Sequence, residues 1–130
     1  MAFLRAYAST GDTYCLDAAV DAAVALTYGQ LESGGWTNCI DFDPNGARVA
    51  RYRDGPARGK NNSTLDDGIS QAAIELLARA DEALAFEHER VHASARIALD
   101  ALLAAQFPNG GFPQVWTGPV ERRRVCSASY

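Results

Sequence analysis

Apolar residues recur at helical spacing in four stretches of the chain. Residues three and four positions apart lie on the same side of an α-helix, so each stretch predicts an amphipathic helix. The first predicted helix contains Phe3 and ends at Gly11. The other three are predicted to run from about Tyr14 to Gln30, from about Leu65 to Leu84, and from about Arg90 to Gln106. The buried face of the fourth helix is predicted to carry Ala95, Leu99, Leu102 and Leu103.

The connection between the second and third helices is long and rich in turn residues. Trp36, Ile40 and Phe42 alternate with polar residues, which predicts a short strand. Arg48 to Arg53 is the candidate returning strand of a hairpin. A connection of this length within a compact domain is usually functional or disordered, and the aromatic residues favour an ordered, functional segment.

The chain contains an internal repeat. Gln30-Leu31-Glu32-Ser33-Gly34-Gly35-Trp36 matches Gln106-Phe107-Pro108-Asn109-Gly110-Gly111-Phe112 at an offset of 76 residues, and alanine and leucine positions in the preceding helices match at the same offset. Each unit is a helix pair that ends in Gln-x-x-x-Gly-Gly-aromatic. Repeated helix pairs cannot bury their apolar faces alone, so they stack into solenoids or close into rings.

Composition and charge reduce the number of functional classes that the chain can belong to. The 130 residues carry a net charge of −4, which argues against a general nucleic-acid binder. No apolar run is long enough to span a membrane, and the first residues lack the layout of a signal peptide. The widely spaced cysteines Cys15, Cys39 and Cys126 contain no CxxC pair, which leaves either free thiols or one disulfide.

Three motifs, in order, resemble the family 10 polysaccharide lyases, which are pectate lyases built on an (α/α) toroid. The motifs are LESGGW at 31–36, STLDDG at 63–68 and AAQFPNGGFPQ at 104–114. The resemblance covers residues from about Phe3 to Trp116 and leaves 117–130 as an irregular tail. It implies an all-α fold, a single partial toroid domain over 1–130, and calcium-dependent eliminative cleavage of polygalacturonate.

The resemblance also implies a metal site. The position of the family's calcium-binding Asp corresponds to Asp66, and Asp67 stands where the family often has Asn. The family's catalytic arginine and remaining calcium ligands lie further downstream, so we expect them beyond Tyr130 and expect this chain to be a piece of a longer toroid. An acidic polysaccharide substrate further implies a secreted or periplasmic protein, and we expect a monomer.

Asp66 and Asp67 also have a purely structural interpretation. Ser63 or Thr64 is a suitable N-cap for the third helix, and Asp67 would then lie near the position of a capping-box carboxylate. A carboxylate has two oxygens and can serve as both cap and metal ligand. Both alternatives stay open from the sequence.

The loop before these carboxylates is basic. It contains five of the twelve cationic residues of the chain and one acid: Arg48, Arg51, Arg53, Arg58 and Lys60, with Asp54. Arginine pairs carboxylates in a bidentate manner, which suits a polyuronate, and Trp36 is a candidate for stacking on a sugar ring. The alternatives are a solvated loop balanced by nearby acids and an aromatic residue that anchors the core.

Two further functions compete with the lyase hypothesis. A toroid remnant that lacks the base would bind carbohydrate without cleaving it. His88-Glu89-Arg90-Val91-His92 is a literal H-E-x-x-H zinc-hydrolase motif. Arg90 adds charge inside the motif, the stretch lies at the polar start of a helix, and no third ligand follows at a familiar spacing. These features favour a surface helix start instead.

Overall fold

The computed structural model describes residues 1–118, and helices dominate it. The elements in chain order are α1 (Ala2–Thr10), α2 (Thr13–Tyr28), β1 (Ser63–Thr64), a 3₁₀ turn (Asp66–Gly68), α3 (Ile69–Ala83), α4 (Glu89–Ala104) and β2 (Val115–Trp116). Asp12 caps α2 because its carboxylate accepts a hydrogen bond from the Tyr14 amide. Gly11 ends α1 in a left-handed conformation that costs glycine little.

The helices pack as two pairs, α1 with α2 and α3 with α4, and α2 also contacts both helices of the second pair. Small side chains dominate the core, which includes Ala19, Ala23, Ala80, Ala95 and Ala98. Alanine lets helix axes approach closely, so many contacts form between backbones and short side chains. The predicted all-α fold is confirmed, while closure into a toroid remains a prediction.

A two-stranded sheet joins the long connection to the residues after α4. β1 and β2 are antiparallel, with Ser63 opposite Trp116 and Thr64 opposite Val115. The Trp116 side chain is buried, and its Nε1 donates to the Ser33 carbonyl at 2.9 Å. The sheet therefore holds the residues just before α3 against the loop that follows α2.

The predicted hairpin of residues 36–42 and 48–53 is wrong. Within the described residues these segments form no strand pair, and Tyr52 instead makes an isolated bridge with Leu31. The Asp41 carboxylate supplies hydrogen bonds that a partner strand would otherwise supply, because it accepts from the amides of Asp43 and Arg48. Because side chains satisfy these amides, the segment folds as a series of turns.

Two helix predictions also need correction. Ser63 and Thr64 are in β1 rather than at the cap of α3, which begins only at Ile69. The predicted burial of Leu99 and Leu103 is wrong, because these side chains are 44% and 67% exposed. Ala95 is buried as predicted. The apolar pattern identified a hydrophobic face on α4, but no described element covers the part formed by Leu99 and Leu103.

The repeat is visible in the hydrogen bonds of the two loops that follow α2 and α4. We call residues 30–36 the first exit loop and residues 106–112 the second exit loop. In the first, Gln30 Nε2 donates to the Gly34 carbonyl at 3.0 Å, and in the second, Gln106 Nε2 donates to the Gly110 carbonyl at 2.9 Å. The amides of residues 31 and 107 likewise donate to the carbonyls of residues 35 and 111. The two loops thus share one local conformation.

None of the helices in the described region has the length and apolarity needed to cross a bilayer. Cys15 and Cys39 are free thiols, and Cys126 lies outside the described residues. The basic run at 122–124 also lies outside them.

Candidate functional site

The long connection forms one wall of a half-open cleft of about 720 Å³. Its polar lining comes from two short segments, Thr37 and Asn38 just after the first exit loop and Lys60 and Asn62 just before β1. Arg48 lies between them in the chain and also lines the cleft. The fold therefore brings together residues that are up to 25 positions apart in sequence.

The lining of this cleft is positive. Arg48 and Lys60 are its charged residues, and no Asp or Glu from the described part of the chain lines it. Thr37, Asn38 and Asn62 add hydroxyl and amide groups that both donate and accept hydrogen bonds. A cleft with two cations and several neutral polar groups suits an anion that also carries hydroxyl groups.

The neighbours of Asn62 have structural roles that fix this wall. Asn61 Oδ1 accepts from the Ser33 amide at 2.8 Å. The buried Ser63 hydroxyl shares a 2.7 Å hydrogen bond with the Ser33 hydroxyl and accepts from the Gly35 amide at 2.9 Å. Asn62 is exposed between these two anchored residues. Its position in the cleft is thus set by the first exit loop.

The other predicted cations lie elsewhere in the same loop, and the structure does not place them among the cleft residues. Arg51 pairs with Glu32 at 3.5 Å, and Arg53 pairs with Asp54 at 3.2 Å. Arg58 Nη2 donates to the carbonyls of Pro44 and Gly46, which ties the two turns of the connection together. Of the predicted substrate-binding residues, Lys60 is the one that lines the cleft.

Trp36 lies in the core and is only 1% exposed. Its Nε1 donates to the Leu26 carbonyl at 2.8 Å, and its amide donates to the Ser70 hydroxyl at 3.1 Å. A ring that is held in this way cannot present its face to a sugar. Trp36 is therefore the core anchor that the sequence offered as the alternative.

Asp66 and Asp67 follow β1 directly, and both are exposed. The Thr64 hydroxyl accepts a hydrogen bond from the Asp66 amide at 3.0 Å, just before the 3₁₀ turn. Within the described residues no side-chain capping bond forms at the start of either the 3₁₀ turn or α3. Asp67 has a left-handed backbone (φ 50°), which Asp tolerates better than most residues. Both carboxylates are left available for another partner.

Calcium is the metal that the resemblance implies, and the two aspartates fit it in chemistry but not in number. Carboxylate oxygens are the hard ligands that Ca²⁺ prefers, and it takes six to eight of them. No group of three or more His, Cys, Asp or Glu residues within residues 1–118 is arranged to hold a metal ion. The described residues therefore supply at most part of a calcium shell.

The H-E-x-x-H stretch is the start of α4, and within residues 1–118 it belongs to no group of three or more possible metal ligands. His88 is the N-cap, and its Nδ1 accepts from the Val91 amide at 3.3 Å. Nδ1 of His88 is therefore occupied by this backbone contact. His92 Nδ1 lies 2.8 Å from Oδ2 of the buried Asp81, which holds that ring in a fixed orientation.

The sequence patterns did not single out Thr37 and Asn38, and they included Asn62 only as the first residue of the stretch 62–68 that was expected to form a groove wall. Isolated Asn and Thr residues are common in turns, so nothing in their local pattern separated them from ordinary loop residues. A partial signal was present for two of them, because Thr37 follows Trp36 and Asn62 precedes Ser63, and Trp36 and Ser63 belong to recognised motifs.

Comparison with known proteins agrees with the geometry. The family model described as pectic acid lyase matches residues 30–124, which contain the first exit loop, the cleft and both aspartates. A solved family 10 polysaccharide lyase from Cellvibrio cellulosa is similar, with 26% sequence identity and a TM-score of 0.53 over 75% of this chain. This chain covers 27% of that protein. No curated protein matches the sequence.

Proposed function

Because the chain belongs to the pectic acid lyase family, we propose that it acts in the eliminative cleavage of polygalacturonate. The family match over residues 30–124 carries this proposal, since it spans the cleft and the adjacent carboxylates. The positive cleft supports it independently, because polygalacturonate carries one carboxylate on each sugar. The substrate would be a polysaccharide outside the cytoplasm, in keeping with a secreted or periplasmic protein. We also propose that the protein is a monomer.

The cleft residues would bind the polymer. Arg48 and Lys60 would pair with carboxylates of neighbouring sugars, and Arg48 is able to do so in a bidentate manner. Asn38, Asn62 and Thr37 would exchange hydrogen bonds with ring hydroxyls. Binding to groups away from the cleaved bond positions the reacting sugar.

The reaction itself is a β-elimination. A base takes the proton on C5, which lies α to the C6 carboxylate. The electron pair forms a C4–C5 double bond, and the C4–O bond breaks, with the departing oxygen taking up a proton. Charge accumulates on the carboxylate as the C5 proton leaves, so cations close to that carboxylate stabilise the transition state. We assign no residue of this chain as the base.

We propose that Asp66, with Asp67 beside it, supplies oxygens to a calcium ion. When bound, calcium would stabilise negative charge on the reacting uronate. The remaining oxygens of its shell would come from other groups, because two carboxylates are too few.

Binding of short oligogalacturonates to the full chain, measured by calorimetry, tests the role of the cleft. The double variant Arg48→Ala/Lys60→Ala should bind about a hundredfold more weakly or worse, because each charge-assisted contact is worth roughly 1.5–3 kcal/mol. The matched control is Arg79→Ala, which removes an exposed cation on α3 that pairs with Glu75. Equal affinity in the double variant and the control would contradict the assignment of the cleft.

Calcium binding is tested separately, without any activity measurement. Amide shifts of residues 64–70 should change on addition of calcium, and Asp66→Asn should weaken this response more than Asp17→Asn, which changes an exposed acid on α2. A response that is the same in both variants would remove Asp66 from the metal site.

Carbohydrate binding without cleavage is the second candidate function, and the cleft favours it because its two cations and three neutral polar residues suit binding by themselves. The absorbance of unsaturated product separates the two. Growth of that signal on polygalacturonate supports the lyase, whereas oligosaccharide binding without product supports the binding protein.

A further inference from the structure

Phe42 presents an aromatic ring to solvent while its position is fixed. The residue is 58% exposed, yet its ring stacks on Tyr28, with the centroids 5.1 Å apart and 21° between the ring planes. Tyr28 also contacts the buried ring of Tyr52, at a centroid distance of 5.4 Å. Because Tyr28 covers one face of the Phe42 ring, the exposed area belongs to the other face and the edge.

Hydrogen bonds hold the backbone around this ring. The Asp41 amide donates to the Tyr52 hydroxyl at 2.7 Å, and the Asp43 amide donates to the Asp41 carboxylate at 3.1 Å. The Tyr28 hydroxyl donates to the Phe42 carbonyl at 3.5 Å. A ring that is already ordered loses little conformational freedom when a ligand packs against it, so less binding energy is lost to ordering.

The ring lies beside the positive cleft. It lines a recess of about 380 Å³ that shares Thr37, Asn38 and Cys39 with the cleft. The Asp41 carboxylate, next to Phe42 in the chain, accepts a hydrogen bond from the amide of Arg48, which lines the cleft. One aspartate thus links the backbone that carries the ring to the backbone that carries the cation.

The recess and the cleft differ in chemistry. The cleft contains the charged side chains of Arg48 and Lys60. Apart from the three residues that it shares with the cleft, the recess has an apolar lining, which consists of Leu26, Trp36, Ile40, Phe42, Ile69 and Ala73. The recess therefore suits the uncharged body of a ligand whose anionic groups lie in the cleft.

A galacturonate polymer has both kinds of surface. The C4 hydroxyl of the sugar is axial, so the hydrogens on C3, C4 and C5 lie together on the opposite face and form an apolar patch. Such C–H groups pack on the negative face of an aromatic ring. We propose that Phe42 is a stacking platform for one sugar of the polymer and forms a further subsite beside the cleft. The inference rests on the proposed function, because carboxylates of the same polymer would occupy the cleft at Arg48 and Lys60.

Two substitutions at position 42 separate a stacking platform from an apolar anchor of the loop. Phe42→Leu keeps an apolar side chain on Tyr28 but removes the flat aromatic face. In calorimetry with short oligogalacturonates, the full chain with this substitution should bind about three- to tenfold more weakly, which is the strength of an aromatic contact. Phe42→Trp restores the face and should bind at least as tightly as the unaltered chain. The matched control is Phe86→Leu, because Phe86 is 59% exposed and lines neither the cleft nor the recess.

Nuclear magnetic resonance identifies the sugar face. Saturation of the aromatic protons of the chain should transfer to H3, H4 and H5 of the bound sugar more than to H2, and Phe42→Leu should abolish this preference. Equal affinity of Phe42→Leu and Phe86→Leu, or a transfer pattern that Phe42→Leu leaves unchanged, would overturn the platform. The cleft would then stand by itself if Arg48→Ala/Lys60→Ala weakens binding. Absence of oligogalacturonate binding to the unaltered chain would contradict the proposed function and the platform together.

Discussion

The two exit loops have the same hydrogen bonds but opposite surroundings. In each loop a glutamine folds back onto the carbonyl of the first glycine, and that glycine is left-handed. Gln30, Gly34 and Trp36 are buried, whereas Gln106, Gly110 and Phe112 are exposed. The motif therefore specifies the local backbone, and the packing of the next helix pair determines burial.

This difference separates two contributions to stability that are usually mixed. Substitutions in the second exit loop measure how much the motif contributes to the free energy of unfolding when it is exposed to solvent. Substitutions in the first exit loop measure that contribution together with the contribution of tertiary packing. Paired substitutions at equivalent positions, measured by urea unfolding of the full chain, therefore give the packing contribution as a difference.

The largest difference is expected for the aromatic position. Trp36→Ala should lower the free energy of unfolding by about 3–5 kcal/mol, because it removes a fully buried ring and leaves a cavity. Phe112→Ala should cost less than about 1 kcal/mol, since the ring is already half in water. Similar losses at both positions would mean that Phe112 is as well packed as Trp36.

The first glycine should show the next largest difference. Gly34→Ala combines left-handed strain with a clash against Ala101 and should cost about 2–4 kcal/mol. Gly110→Ala retains the strain but meets no described atom, so about 1–2 kcal/mol is expected. If both variants lose the same stability, α4 is able to move away from Gly34 at little cost.

The glutamine should give a difference of about the same size as the glycine. Gln30→Ala leaves buried groups of Ser94 and Gly34 without partners, for a loss of about 1–3 kcal/mol. Gln106→Ala exposes its partner to water, which replaces the bond, so less than about 0.5 kcal/mol is expected. Ser94→Ala is a further check, because it should weaken the chain only while Gln30 is present.

Local sequence signals predicted the parts of the fold that local forces decide. The four helices follow from their apolar spacing, and the repeated exit loops follow from Gln and Gly-Gly at fixed positions. The hairpin prediction failed because the alternation in residues 36–42 does not mark one buried face, since Trp36 is buried and Phe42 is 58% exposed. Asp41 supplies the hydrogen bonds that a second strand would have supplied. Residues 63–64 pair instead with residues about fifty positions later, which no local pattern reveals.

The sequence predicted the charge of the candidate site better than it predicted which residues line it. A cluster of cations near position 50 predicted an anion-binding surface, and of the residues predicted to bind substrate Lys60 lines the cleft, while its role there stays a prediction. The direction of the chain at each turn decides which of the neighbouring arginines reaches the cleft. Those turns depend on hydrogen bonds to Asp41, Pro44 and Gly46, which the pattern of apolar and polar residues does not reveal. Trp36 illustrates the same limit, because a tryptophan after Gly-Gly suits both a sugar platform and a core anchor.

The pairing of β1 with β2 has a consequence for the order in which the chain folds. Contacts within each helix pair are short in sequence and form early, whereas the sheet requires closure of a loop of about fifty residues. Docking of Trp116 against Ser33 should therefore complete late, after both helix pairs exist. The cleft wall at Asn62 and the carboxylates after Thr64 would become ordered in that same final step, so a nascent chain would complete its candidate site last.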